Sequence, residues 1–322
     1  MRISRERLLS EAEVTGFRPE VIEKIIHLLD LLQGFRSHPF LRERLALKGG
    51  TALNLFVLDL PRLSVDIDLN YVGAIDRKTM LAERPKVDQA IQAVCSREGF
   101  AIRRIPEEHA GGKWLLRYES GLGGGGNLEV DLNFMFRIPL WPVTARDSHA
   151  VGSYGASDIP TLDIHELAAG KMTALLSRRQ ARDLFDVHQI LGHGGLERQR
   201  LRLAFVVYGA VNRRDWRTVS VEDVDFDPAE LEHRLIPLLR RHYAAGLGQA
   251  ATWGKRLVEE CRDGLAVVLP LSETESEFLD RLLDQGEVEP SLLTANAALA
   301  ERVGRHPLLE WQALNVRQRK GE

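Results

Sequence analysis

The chain has 322 residues, 44% of them apolar and 28% charged, with a formal net charge of −3. That length accommodates two domains with ample core, and the composition is that of an ordinary globular protein. The near-neutral charge neither demands nor excludes a nucleic-acid partner. The longest apolar runs, such as 204–211, fall well short of the ~20 residues of a membrane-spanning helix. The N-terminus lacks the continuous apolar stretch of a secretory signal, so no membrane partner and a cytoplasmic location are expected. Cys95 and Cys261 lie far apart with no motif around either, which argues against a disulfide framework or a zinc site.

Residues 1–47 read as helices. In 21–35, Ile22, Ile25, Ile26, Leu28, Leu29 and Leu32 share one broad face. From 48 to about 150 the texture changes to short strand-like runs and glycine turns. The segment 65–72 alternates with period two, and 85–99 predicts an amphipathic helix closed by Gly99. Segments 100–105 and 113–120 predict strands, and the glycine-rich 121–126 a flexible turn. In 127–136, Leu128, Val130, Leu132 and Phe134 face one way; Glu129, Asp131 and Asn133 face the other. A helix between strands followed by a hairpin predicts an α+β fold with a small mixed sheet and flanking helices. After a proline-rich stretch at 138–143, nearly everything from 163 onward reads helical, with 164–178 and 181–191 clearest. Two domains are expected, 1–160 and 161–322, and a frayed tail at 317–322.

The chemistry-bearing residues begin at Lys48-Gly49-Gly50-Thr51. Adjacent glycines and a hydroxyl at a helix start can bring backbone N–H groups against a phosphate; a plain glycine turn is the alternative. Ser64-Val65-Asp66-Ile67-Asp68 follows. On a strand, Asp66 and Asp68 would point to one face. Like charges that close repel unless a cation lies between them, and Mg²⁺ takes such carboxylates together with substrate phosphates. An exposed edge strand with two solvated acids is the alternative. Asp131, beside Glu129 on a second strand, can join the same metal and act as general base if the two strands are neighbours. Ser64 would share the face of Asp66, where its hydroxyl lies beside the metal and triphosphate and a phosphate on it would repel both aspartates. Alternatively it only bonds the local backbone.

KGGTAL followed by RLSVDIDL resembles the minimal signature of the DNA polymerase β-like nucleotidyltransferase superfamily, and most closely the AbiEii-type, MenT-like toxin family. HELAAGK (165–171) and RRQARDLFD (178–186) resemble that family's later motifs, so the likeness spans roughly 45–190. Thr51 stands where serine is frequent in the superfamily. The resemblance implies a metal-dependent nucleotidyltransferase toxin that moves NMP from an NTP to a tRNA 3′ end and is paired with an antitoxin. It implies Gly49, Gly50, Thr51 and Ser64 at the nucleotide, Asp66, Asp68 and Asp131 at Mg²⁺ or Mn²⁺, and Lys171, Arg182, Asp183 and Asp186 completing the site. Lys171 is suited to phosphate, with an ion pair to Glu166 as the alternative. An Arg182–carboxylate pair locking two helices is open too, and Lys113-Trp114 reads as a base-stacking element or as core.

The acceptor is less determined, because one fold serves many. Arg198, Arg200, Arg202, Arg213, Arg214 and Arg217, extended by Arg178, Arg179 and Arg182, read as an RNA-binding patch or as solvated helix faces. A nucleotidyltransferase acting on a protein or a small molecule such as an antibiotic, and a non-catalytic nucleotide-binding module, are the alternatives.

Overall fold

The computed structural model describes residues 3–58, 61–106 and 110–321. It divides into two compact units. The first comprises 1–137, 143–162 and 236–247; the second comprises 138–142, 163–235 and 248–322.

The first unit is built on one sheet of seven strands in the order β3-β4-β5-β2-β1-β7-β6. Helices α1 (Arg5–Thr15) and α2 (Pro19–Ser37) precede it. Ile22, Ile25, Ile26 and Leu29 of α2 are buried at helical spacing. Strand β1 (Leu45–Lys48) comes next, where the sequence reads as helix to residue 47. Only four residues long, it has no period of its own. A short helix α3 (Gly49–Thr51) runs on into the π-helical segment Ala52–Val57.

Strand β2 (Ile67–Tyr71) pairs antiparallel with β1 and parallel with β5 (Gly125–Asn133). Helix α4 spans Arg77–Arg97, capped by Asp76, and so starts eight residues before the sequence places it. Pro85 lies inside the helix rather than at its start. Strands β3 (Ala101–Arg104) and β4 (Gly111–Glu119) extend the sheet beyond β5, and β6 (Thr144–Arg146) and β7 (Ile159–Thr161) complete it. The sheet is mixed and flanked by helices, as expected, and has seven strands.

The alternation read in β5 is observed, with Leu128, Val130, Leu132 and Phe134 all buried. The neighbouring β4 buries Trp114, Leu116 and Tyr118 on that same side. Trp114 is 0% exposed and belongs to the core. Period-two alternation turns it away from the open face, so it offers no platform for a base. Glu23 of α2 accepts hydrogen bonds from Ser120 Oγ (2.7 Å) and the Gly121 amide (2.6 Å), which fixes the β4–β5 turn.

The second unit is helical. It contains α5 (Ile164–Arg178), α6 (Ala181–His193), α7 (Arg198–Ala210) and, further on, the helices Ala250–Gly264, Glu273–Asp280, Ala297–Gly304 and Pro307–Lys320. The tail is helical through Lys320 and capped by Gly321 in the left-handed region, not frayed; Glu322 lies outside the described residues. No described helix is long and apolar enough to cross a membrane.

Trp114 gives the core assignment a direct check. Trp114→Ala should lower the free energy of unfolding by about 3–5 kcal/mol in urea titration. A variant of unchanged stability but weakened nucleotide affinity would return Trp114 to a stacking role.

Candidate active site

Register brings the acids of the first unit together. In the parallel β2–β5 pair, Asp68 lies opposite Asp131, with both side chains on the face away from the core. In the antiparallel β1–β2 pair, Lys48 lies opposite Asp68, so the chain turns into Gly49 beside that carboxylate. Gly49 has φ +70°, a left-handed conformation, and a Cβ there would overlap the Asp68 carboxylate. Gly50 packs as closely on the other side: a Cβ would stand 2.8 Å from Ser64 Oγ and 3.2 Å from Arg62 Nη2.

Three placements differ from the sequence reading. Strand β2 begins at Ile67, so Asp66 stands at a bend just before the ladder and does not share a strand face with Asp68. Ser64, 9% exposed, likewise precedes the strand and reaches the glycine pair from an irregular segment. Thr51 is 0% exposed, and its hydroxyl donates to the Asp66 main-chain carbonyl. It positions the aspartate and presents no surface to a phosphate.

Two further cations stand at this site, and the sequence assigns neither of them a charge role there. Lys113 is the cross-strand partner of Asp131 and donates to Glu129 at 2.9 Å. That bond holds its ammonium above the usual lysine range, with further support from the charges of Glu129, Asp131 and Asp66. Lys113 therefore lies in the field of both aspartates. Arg62, 2% exposed, bonds the Leu63 carbonyl at 3.3 Å and lies against Gly50. Its segment is latched by residues 236–240: Leu63 N donates to Leu238 O (3.1 Å) and Arg240 N to Pro61 O (2.8 Å).

Among the described residues, no three His, Cys, Asp or Glu side chains converge closely enough to hold a metal as they stand. Asp68 and Asp131, side by side in register and half-buried, nonetheless form a hard-oxygen pair. One or two carboxylates completed by substrate phosphates is the usual donor set for Mg²⁺, so these residues fit such an ion.

In the second unit, Lys171 of α5 meets Asp183 at 3.1 Å and Asp186 at 2.7 Å, both on α6 and almost wholly buried. Arg178 also pairs with Asp183, at 2.7 Å. Arg182 sits half-buried on α6. Burial alone would raise the Asp183 carboxyl; Lys171 and Arg178 outweigh it and hold the group below the usual carboxylate range. Glu166, the alternative ion-pair partner read for Lys171, has other contacts. Glu166 accepts from the Leu140 and Trp141 amides and the Tyr208 hydroxyl, and burial pushes it up to about 7.

The arginine run of 198–217 is largely engaged within the second unit. Arg200 pairs with Asp163, Arg202 with Glu275, Arg214 with Asp223, and Arg217 with Asp215, Asp280 and Asp284. Arg198 bonds the Val267 carbonyl, and Arg213 is exposed. As an RNA patch the run is mostly neutralised.

Two substitutions probe these arrangements. Gly49→Ala should abolish nucleotide transfer, because the left-handed turn and the Asp68 contact are lost together; the strain costs about 1–2 kcal/mol. Wild-type transfer by this variant would remove Asp68 from the site. Lys171→Ala leaves two buried carboxylates without their cation and should destabilise the fold by about 3–5 kcal/mol in thermal or urea unfolding. An unchanged melting temperature would show the pairs to be incidental.

Comparison with known proteins accords with this geometry. No curated protein matches the sequence. The structure resembles that of MenT4, a nucleotidyltransferase toxin from Mycobacterium tuberculosis H37Rv, with a TM-score of 0.61 and 18% identity over 98% of this chain and 99% of that one. The profile of the family described as "Nucleotidyl transferase AbiEii toxin, Type IV TA system" matches residues 30–253, more than half of the sequence, and the chain belongs to that family of toxin nucleotidyltransferases.

Proposed function

We propose that this nucleotidyltransferase moves the NMP of an NTP to the 3′ end of a tRNA in the cytoplasm, with Mg²⁺ or Mn²⁺ held by Asp66, Asp68 and Asp131, and is held in check by a cognate antitoxin. The observation that carries the reading is the register of β2 and β5, which sets Asp68 beside Asp131 on the open face, next to the Gly49-Gly50 turn. Gly49 and Gly50 let backbone approach the triphosphate, and Arg62 adds positive charge beside them. A divalent cation held there would neutralise the charge that develops during transfer. Asp131 takes the proton of the attacking ribose hydroxyl as its oxygen bonds the α-phosphorus and the bond to the β-phosphate breaks, releasing pyrophosphate. Lys113, in contact with Glu129, offers a cation that can turn toward the phosphate or the acceptor. Lys171, Arg182, Asp183 and Asp186 match the family's later motif; in this chain Lys171 pairs with the two aspartates and so joins α5 to α6. The arginines of 198–217 lend little support to the RNA acceptor.

The test is incubation of the full chain with each α-labelled NTP, Mg²⁺ and total cellular RNA. Label should enter tRNA-sized RNA, vanish with EDTA, and fall at least a thousandfold in Asp68→Ala and Asp131→Ala, the scale expected when charge-neutralising groups are lost. Label in protein or in a small molecule would identify a different acceptor. Metal-independent transfer would overturn the roles of the aspartates.

A further inference from the structure

The open face of the sheet does not end at the acids. Moving along β4 away from Lys113, the outward positions are Leu115, Arg117 and Glu119, with Arg103 and Arg104 on the neighbouring edge strand β3. Ala101 is the partner of Arg117, so alternation puts Arg103 on that face too, and the β-bulge between Ile102 and Arg104 brings Arg104 onto it as the partner of Leu115. Arg103, Arg104 and Arg117 are all exposed. Among the described residues none of the three forms an ion pair, in contrast to most of the arginines at 198–217.

At the far end of the hairpin lies a cavity of about 910 Å³ lined by Arg97, Arg103, Arg117, Glu119, His27 and Tyr118 among others. Arg97 is paired with its neighbour Glu98 at 3.0 Å. The aromatic part is uncharged: burial pushes His27 down to about 4 and the Tyr118 hydroxyl up to about 12. The Arg117 guanidinium packs over the start of β5, where a Cβ on Gly125 would come within 2.8 Å of its Nε. The glycine-rich turn therefore leaves room for this side chain.

Building on the transferase reading above, we propose that Arg103, Arg104 and Arg117 form the track on which the acceptor RNA backbone lies as its 3′ end reaches Asp131. The geometry suits a phosphodiester chain. A strand rises about 3.4 Å per residue, so Arg117 stands roughly 14 Å along β4 from Lys113, the partner of Asp131. That is about two backbone steps of an extended single strand. Phosphate contacts of this kind fix register and orientation without reading sequence. The cavity beyond gives the track a cationic end, with Glu98 and Glu119 as its acids.

The experiment uses the full chain and the variant R103Q/R104Q/R117Q, whose exposed positions leave the core intact, as a thermal melt will verify. Binding of fluorescein-labelled bulk tRNA is followed by anisotropy between 50 and 300 mM KCl, and label transfer to RNA is measured in parallel. Each lost phosphate contact flattens the plot of log affinity against log salt by about 0.7–0.9. The variant's slope should drop by about two to three, and its tRNA affinity and transfer at 150 mM KCl at least about tenfold, with NTP affinity unchanged. Equal slope, affinity and transfer in the two proteins overturn the track while leaving the transferase reading intact. A wild type that labels no RNA overturns both. Unchanged RNA binding with lost inhibition by a cognate antitoxin would assign this face to an acidic protein, and also overturns the track.

Discussion

The candidate catalytic face depends on the register of one five-residue strand. β2 lies between two partners, and each pairing fixes a different part of the site. Against β1 it sets Asp68 opposite Lys48, so that the left-handed Gly49 begins where the carboxylate stands. Against β5 it sets Asp68 opposite Asp131. A slip of one residue would send Leu69 to solvent and Asp68 into the core. Ile67 and Leu69, buried on the inner face, oppose that slip. So does the far end of the strand, where Tyr71 and Arg44 both donate to Glu83 of α4, at 2.5 Å and 2.8 Å. Apolar burial behind Asp68 thus holds the strand that carries it in register.

Asp66 has no such ladder. Its position depends on the Thr51 hydroxyl at its carbonyl and on a segment, 61–65, that is itself tied to 236–240. Two carboxylates separated by one residue are therefore mounted differently: Asp68 on a rigid strand, Asp66 on a bend. A bend can adjust to a ligand where a central strand cannot, which suits the cation-holding role proposed for Asp66.

What the sequence made legible follows the same physics. Strict alternation in 127–133 announces β5 because one face is core and the other is open, and the glycine pair and acids are recognisable because few structures need them together. Strand β1 escaped, since four residues carry no period and a helix ends just ahead of them. Helix α4 was truncated at Pro85, whose usual meaning is a first turn. Trp114 was ambiguous until the parity of β4 was known. The return of 236–240 to the first unit has no local signal at all, because backbone bridges such as Arg62–Leu239 do not depend on side-chain identity.

Charge was the least legible property, because a cation's effect depends on what it already touches. Arg200, Arg202, Arg214 and Arg217 lie in an arginine-rich run yet are spent on Asp163, Glu275, Asp223 and the Asp215–Asp280–Asp284 group. Arg103, Arg104 and Arg117 are scattered in sequence but lie on one open face. The same accounting applies to Lys171. Asp183 and Asp186 already take up its charge, and desolvating such a cluster costs about as much as its attraction returns. A phosphate approaching Lys171 must therefore compete with two carboxylates less than 3.5 Å away. The lysine can serve a substrate only by loosening a contact that joins α5 to α6, so its electrostatic contribution and the packing of those helices cannot be varied independently.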